Sequence, residues 1–231
     1  MHWHTKENKL MEDEYVLQPY AQIAEHFDKT RSGYRWGEIE RHLTSLDTNS
    51  FLLDAGCGNG RNMSVKQKTQ CIGFDFCASN NKICAEKGLE VSTINMKRIP
   101  FRDNVFDHSF TVAVLHHIET EADRLLAIHE LVRVTRPGGT IYLQVWSADI
   151  PKNKKFIQIN DQNDYFVTWH VTNGQRLKRY YHLFTRTEFA ALLSQIKDVH
   201  IETINEDKGN WFGILRKQCS VPSCESILQH S

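Results

Sequence analysis

Residues 10–28 carry Leu10, Tyr15, Val16, Tyr20, Ile23, Ala24 and Phe27 among charged neighbours. Their spacing is close to the helical period and predicts a helix near the N-terminus. Further on the pattern changes. Phe51-Leu52-Leu53-Asp54-Ala55 is a short apolar run closed by glycines, which reads as a buried strand ending in a tight turn. Similar runs predict strands at Cys71–Asp75, Val91–Asn95, Asp107–Leu115 and Thr140–Trp146. Helical stretches at Ser79–Lys87 and Glu121–Thr135 separate them, and Arg136-Pro137-Gly138-Gly139 stops the second. Alternating strands and helices with short apolar strands predict a mostly parallel sheet covered on both faces, an α/β fold. After Trp146 the alternation stops. Residues 147–184 show no clear period, and an irregular stretch of that length is usually functional. A helix at Arg186–Gln195 and strands at Val199–Ile204 and Trp211–Arg216 resume the fold.

This pattern divides one domain, 1–231, into an N-terminal helical cap (1–45), a core (46–146), an inserted substrate lid (147–184), a C-terminal helix with strands (185–216) and a tail (217–231). A hydrophobic fraction of 40% with 24% charged residues supports a sizeable core and excludes disordered, collagen-like and coiled-coil classes. No run approaches 18 apolar residues, so no membrane span is expected. The polar N-terminus lacks the apolar stretch of a signal peptide, which sets the expected compartment as cytoplasmic, or also nuclear. Six cysteines without a CxxC pair are expected to be reduced thiols rather than disulfides or a zinc site.

The 28 basic and 28 acidic side chains cancel, yet residues 151–190 hold seven basic groups against three acids. Lys152, Lys154, Lys155, Arg176, Lys178, Arg179 and Arg186 are interleaved there with Phe156, Tyr165, Phe166, Trp169, Tyr180, Tyr181 and Phe184. Cations for phosphates and ring faces for splayed bases are what recognition of a single-stranded RNA loop needs. An ordinary lid, with its charges solvated and its rings turned inward, is the alternative.

Asp54-Ala55-Gly56-Cys57-Gly58-Asn59-Gly60 follows the first strand. Glycines let backbone approach a ligand where a Cβ would clash, and the helix start expected after the loop offers free N–H groups. The spacing is GxGxG rather than the GxGxxG of a dinucleotide site, with an acid two residues before the first glycine. Fifteen residues after Gly60, Asp75 ends the second strand, where a carboxylate can accept the ribose hydroxyls of a nucleoside.

The DAGCGNG loop, Asp75, the pair Phe106-Asp107 and the Arg136-Pro137-Gly138-Gly139 turn resemble class I S-adenosylmethionine-dependent methyltransferases, whose Rossmann-like sheet has seven strands, the last antiparallel. The resemblance implies S-adenosyl-L-methionine as cofactor, held by Asp54, Gly56, Cys57, Gly58, Gly60, Asp75, Phe76, Asn95, Met96, Val112 and His117. Gly56, Gly58 and Gly60 would line its amino-acid end and Asp75 its ribose. Asn95 departs from the acid often found facing the adenine, but it can still bond an amino group.

Four further patches resemble the tRNA methyltransferases that esterify 5-carboxymethyluridine at the anticodon wobble position. They are Ile23-Ala24-Glu25-His26-Phe27-Asp28-Lys29-Thr30-Arg31, Ala113-Val114-Leu115-His116-His117, Phe166-Val167-Thr168-Trp169 and Arg179-Tyr180-Tyr181-His182-Leu183-Phe184. This resemblance implies tRNA as substrate, engaged through its anticodon loop. It also implies a small zinc-containing activator subunit that covers an apolar surface in a heterodimer.

A methyl sulfonium is already activated, so attack needs alignment and a dry pocket more than a nucleophilic side chain. A carboxylate is ionised at neutral pH and requires no general base. The candidates for acceptor contacts are Arg31, His116, Trp169, Tyr180, Tyr181 and His182. Arg31 can hold a carboxylate bidentately, or can pair with Asp28 on the surface. His116 belongs at a strand end where ligands gather in open α/β sheets, and the rings can serve equally as lid core. The rival readings are a small-molecule O- or C-methyltransferase and a catalytically silent subunit that keeps the fold.

Overall fold

Leu52 and Leu53 are adjacent in β1 (Phe51–Ala55), yet they belong to different hydrophobic clusters. Successive side chains of a strand point to opposite faces, so a strand apolar at both positions must be covered on both sides. The computed structural model describes residues 11–31, 33, 36–65, 70–171 and 174–219. Leu10, Cys224 and the tail beyond 219 lie outside them.

The central sheet contains β1, β2 (Gln70–Asp75), β3 (Val91–Thr93), β4 (Phe106–Val112), β5 (Thr135–Trp146), β9 (Val199–Glu206) and β10 (Asn210–Lys217). Its order is β3-β2-β1-β4-β5-β10-β9, with β10 antiparallel to both its neighbours and the other pairs parallel. Seven strands with the last one reversed is the class I methyltransferase arrangement expected from the glycine loop and its companions. One face packs Leu53, Phe74, Ile141 and Leu143 against α4 (Glu121–Val134) and α5 (Arg186–Ser194) through Leu131 and Phe189. The other packs Leu52, Phe110 and Tyr142 against Ile39 and Leu43 of α2 (Gly37–Ser45), a helix the sequence pattern did not predict. Thr120 and Thr185 cap α4 and α5, their side chains accepting from the amides of Asp123 and Glu188.

Two expectations need correction. Arg136-Pro137-Gly138-Gly139 is not a separate turn, because α4 ends at Val134 and β5 begins at Thr135. The insertion is absorbed as a bulge between the Phe106–Thr135 and His108–Thr140 pairings. Asp107 holds it there: one carboxylate oxygen pairs with Arg136 at 2.7 Å and the other accepts from the Phe51 amide at 2.6 Å. The second correction concerns residues 147–184, which are not irregular. They form an antiparallel sheet of β6 (Phe156–Gln158), β7 (Asp164–His170) and β8 (Arg176–His182). Arg179, Tyr180, Tyr181 and His182 are consecutive and all buried, so both faces of β8 are covered and no alternation was visible.

The N-terminal helix is present. Asp13–Leu17 winds as a π-helix and continues into α1 (Gln18–Arg31). This helix lies against α3 (Ala78–Glu86) and β8, which puts it over the ends of the strands.

Candidate active site

The glycine loop after β1 adopts φ of +79° at Gly56, +55° at Gly58 and +75° at Gly60, and residues 61–65 continue as turns where the sequence suggested the start of a helix. L-residues enter this left-handed region at a cost of about 1–2 kcal/mol each. The amides of Gly56 and Cys57 donate to the Phe74 carbonyl at 2.8 and 2.9 Å, clamping the loop to β2. A Cβ on Gly56 would collide with the Val114 side chain, whereas one on Gly58 would meet only Phe27, at 3.9 Å. Packing demands the first glycine; the second borders open space.

Asp75 ends β2 and accepts from the Gly58 amide (2.9 Å), the Cys77 amide (2.8 Å) and the Asn80 side-chain amide (3.2 Å). Burial raises its pKa, and the two backbone bonds oppose that rise. An ionised carboxylate has about four acceptor positions. Three are used, so Asp75 shapes the loop and has one left for a ligand. Asp54, 1% exposed beneath the loop, has no hydrogen-bond partner at either carboxylate oxygen, and burial holds its pKa well above the usual carboxylate range.

These residues border a cavity of about 420 Å³, within the ordinary range for a small-molecule site. Nine of the eleven residues that the resemblance assigned to the cofactor line it: Gly56, Cys57, Gly58, Asp75, Phe76, Asn95, Met96, Val112 and His117. Arg31, His116, Trp169 and Tyr181 line it too. Asp54 and Gly60 lie behind that wall; a Cβ on Gly60 would run into Leu89. Tyr180 and His182 are also off the wall, and each is committed elsewhere. Asp164 accepts from the Tyr180 hydroxyl at 2.7 Å and contacts His182 Nδ1 at 2.7 Å. Glu188 meets His182 Nε2 at 2.6 Å. Burial pulls the His182 pKa down, but the two carboxylates outweigh it and raise the net value. This cluster ties β8 to β7 and α5 behind the cavity.

The sequence reading missed two residues, Tyr20 and Arg179. Tyr20 passed for one more apolar position of α1, and Arg179 for one of several lid cations. His117 Nδ1 meets the Tyr180 carbonyl at 2.8 Å, so that nitrogen carries the hydrogen and Nε2 must accept. The Tyr20 hydroxyl, 2.9 Å from Nε2, is then the donor. With its hydrogen spent, the Tyr20 oxygen accepts from Arg179 Nη1 at 3.0 Å and from the Tyr181 hydroxyl at 3.3 Å. One backbone carbonyl thus sets the direction of every bond out to Arg179.

His116 is fixed in the same way. The Trp146 amide donates to its Nδ1 at 3.2 Å, leaving the hydrogen on Nε2. Its ring stacks on Tyr181, 4.9 Å between centroids. Burial drives both histidines toward the neutral form: His116 well below its ordinary pKa, with His117 and Arg179 adding to the effect, and His117 down to about 3. Trp169 donates its indole hydrogen to His26 Nδ1 at 2.9 Å and lies under two guanidinium groups, Arg31 at 5.3 Å and Arg179 at 4.7 Å. Arg31 is exposed. Asp28, offered as its surface partner, pairs with Lys87 at 2.6 Å.

Comparison with known proteins agrees with this geometry. The methyltransferase domain family matches residues 53–143, from β1 into β5. A tRNA (carboxymethyluridine(34)-5-O)-methyltransferase of Schizosaccharomyces pombe is 31% identical over 89% of this chain and 97% of its own length. The enzyme of that name from Arabidopsis thaliana is 41% identical over 60% of the chain. The chain spans 34% of the Arabidopsis protein's length and 41% of a Xenopus tropicalis relative's. Among solved structures, the complex of DhpI with S-adenosylhomocysteine shares the fold at a TM-score of 0.66 and 17% identity, covering 90% of this chain and 97% of that one. A Haloferax volcanii methyltransferase bound to its Trm112 activator scores 0.63 at 12% identity, covering 91% and 99%.

The residues present fit S-adenosylmethionine, the cofactor of this protein. Gly58 leaves space for it, and Asp75 keeps one acceptor position for a hydroxyl. The methyltransferase core, together with a relative matched over nearly its whole length at 31% identity, shows that the chain belongs to the tRNA (carboxymethyluridine(34)-5-O)-methyltransferase family.

Proposed function

We propose that this protein transfers a methyl group from S-adenosylmethionine to the side-chain carboxylate of 5-carboxymethyluridine at the tRNA wobble position, forming the methyl ester. One observation carries the reading: among the described residues, neither histidine of the acceptor half is free to act as a base. His117 has both nitrogens engaged, and neutral His116 presents Nε2 with its hydrogen already in place. An acceptor that must lose a proton, such as a hydroxyl, finds neither histidine free to take it. A carboxylate arrives ionised and needs only to be held in line with one oxygen free to attack. When bound, the cofactor supplies the activated methyl; the chain's own residues orient the acceptor and exclude water.

Arg31, Arg61 and Lys208 lie on the cavity wall, and Lys154 and Lys155 are exposed on the lid, a distribution that suits an RNA backbone at the mouth. For the partner we propose a small activator subunit, zinc-containing as the family resemblance implies, docking at β3. That strand is one of the two outer strands of the sheet, with Ser92 and Thr93 exposed, and an outer strand can be extended by another chain.

The test is tritium transfer from labelled cofactor into tRNA by the chain with and without the activator, followed by nucleoside analysis and saponification. Alkali-labile label on the wobble uridine is the expected result. Label that enters small carboxylic acids but never tRNA would move the protein to the small-molecule class. Full activity from a monodisperse preparation of the chain alone would remove the activator.

A further inference from the structure

We infer that Arg179 is the specificity-determining residue of the acceptor pocket, the group that takes a carboxylate and turns away the corresponding neutral amide; this rests on the function proposed above. Arg179 is 4% exposed and lines the cavity, and its guanidinium is charged at every accessible pH. Among the described residues no carboxylate lies within ion-pair distance of it, and its Nε hydrogen has no acceptor. Arg124 is as buried and, among the described residues, also lacks an ion pair, but it lies off the cavity wall and donates to the Ile118 and Glu119 carbonyls. Other sheltered cations have carboxylate partners. Lys97 holds Glu12 and Asp123, and Arg133 holds Glu130 and Asp103.

Nor can the cavity's own acids serve Arg179. Glu12 is committed to Lys97 and Asp75 to the glycine loop. What Arg179 has instead is the Tyr20 oxygen and the ring faces of Trp169 (4.7 Å), Tyr181 (5.1 Å) and Tyr20 (5.5 Å). Ring faces offset part of the cost of a buried cation, but they do not supply a counter-charge. An acceptor carboxylate would supply it, with one oxygen held by the guanidinium and the other left as nucleophile. An amide of the same shape can offer its carbonyl oxygen but brings no negative charge, so the buried guanidinium stays without a counter-charge. Arg31, the residue the sequence suggested for this grip, stands at the exposed end of α1, where water screens its charge.

The experiment uses the chain with its activator, loaded with S-adenosylhomocysteine so that nothing turns over. Two anticodon stem-loop RNAs are compared, one with 5-carboxymethyluridine and the other with 5-carbamoylmethyluridine at the wobble position. A site built around a buried polar group rejects the analogue lacking its partner strongly, so the wild-type protein should favour the acid by at least about 100-fold in Kd. Arg179→Gln should reduce that preference to about threefold or less, with calorimetric affinity for S-adenosylmethionine unchanged; Arg31→Gln should keep the preference while weakening both RNAs alike. A preference that survives Arg179→Gln overturns the inference and leaves the proposed function standing. So does equal binding of the two RNAs by a wild-type protein that methylates the acid. A wild-type protein that neither prefers nor methylates the acid overturns both. Should Arg179→Gln fail to fold, Arg179→Lys decides: a point charge lacking the planar fork should keep the sign of the preference but lose about tenfold in kcat/KM, and an undiminished value rules the fork out.

Discussion

The hydroxyl of Tyr20 and the guanidinium of Arg179 meet at 3.0 Å, joining α1 to β8 across 159 residues of chain. The hydrogen bond couples the N-terminal helix to the acceptor half of the cavity, and through His117 to the backbone of β8 itself. Tyr20 is therefore a positioning residue, and its removal should disturb alignment before it disturbs binding.

Tyr20→Phe keeps the ring and removes the oxygen. Arg179 then lacks an acceptor and His117 Nε2 a donor, each loss worth about 1–3 kcal/mol when buried. Expected is a fall of about tenfold or more in kcat on tRNA, while the Kd values for tRNA and cofactor stay within about threefold of wild type. Single-turnover and equilibrium measurements separate the two. A fall confined to tRNA affinity would show that the hydroxyl does not align the acceptor.

Gly56→Ala and Gly58→Ala are expected to fail in different ways. The first drives a methyl into Val114 and should lower thermal stability by several degrees, costing about 1–3 kcal/mol by overpacking and backbone strain. The second has room within the protein, so its main effect should be a loss of cofactor affinity at modest cost to folding. Calorimetry and thermal unfolding on both variants check this. Equal cofactor binding by Gly58→Ala and wild type would displace the cofactor from this loop.

The Asp164–His182–Glu188 cluster predicts a pH signature. The His182 pKa is raised, so its contribution to stability is complete below the ordinary value of 6.5 and is lost as pH rises through the folded value. Burial raises Asp164 and Glu188, and their hydrogen bonds to His182 and others outweigh it to leave both lowered. Their contribution is present above 3.8 and 4.5 and is lost as pH falls through the folded values. Buried neutral His116 and His117 work in the opposite sense to His182, because the unfolded chain takes up their protons below 6.5. The informative quantity is thus the stability difference between wild type and His182→Gln. It should be greatest between about pH 5 and 6.5 and shrink at higher pH, as read from urea midpoints. A difference that grows with pH contradicts the cluster.

Reversing Lys152, Lys154 and Lys155 to Glu tests the lid as an RNA surface. Lys154 and Lys155 are exposed; Lys152 donates to the Ala148 carbonyl and sits 5.6 Å from the Tyr165 ring. For every lysine–phosphate pairing removed, the log–log salt dependence of tRNA binding should flatten by about 0.7–0.9. Cofactor affinity should not move. An unaltered slope would place the RNA elsewhere on the molecule.

The framework of this protein follows from its sequence alone, for a physical reason. Strands buried on both faces must be apolar throughout, helices between them must carry one apolar stripe, and a chain that comes close to a ligand needs glycine. β1, β2, α4 and the loop at Gly56–Gly60 were legible on those grounds. The lid sheet was not. Tyr180 and Tyr181 are neighbours buried on opposite faces of β8, so the period-2 signal disappeared where α1, β7 and α5 all close on one strand. The acceptor site was also invisible in part, because its roles depend on contacts that sequence spacing does not encode. Arg31 and Arg179 are both arginines beside Trp169, and the packing leaves one in water and seals the other in with no counter-ion among the described residues. His116 and His117 are adjacent in sequence, yet one is oriented by the Trp146 amide and the other by the Tyr180 carbonyl. Only the folded backbone decides which nitrogen carries the hydrogen, and with it what the pocket can accept.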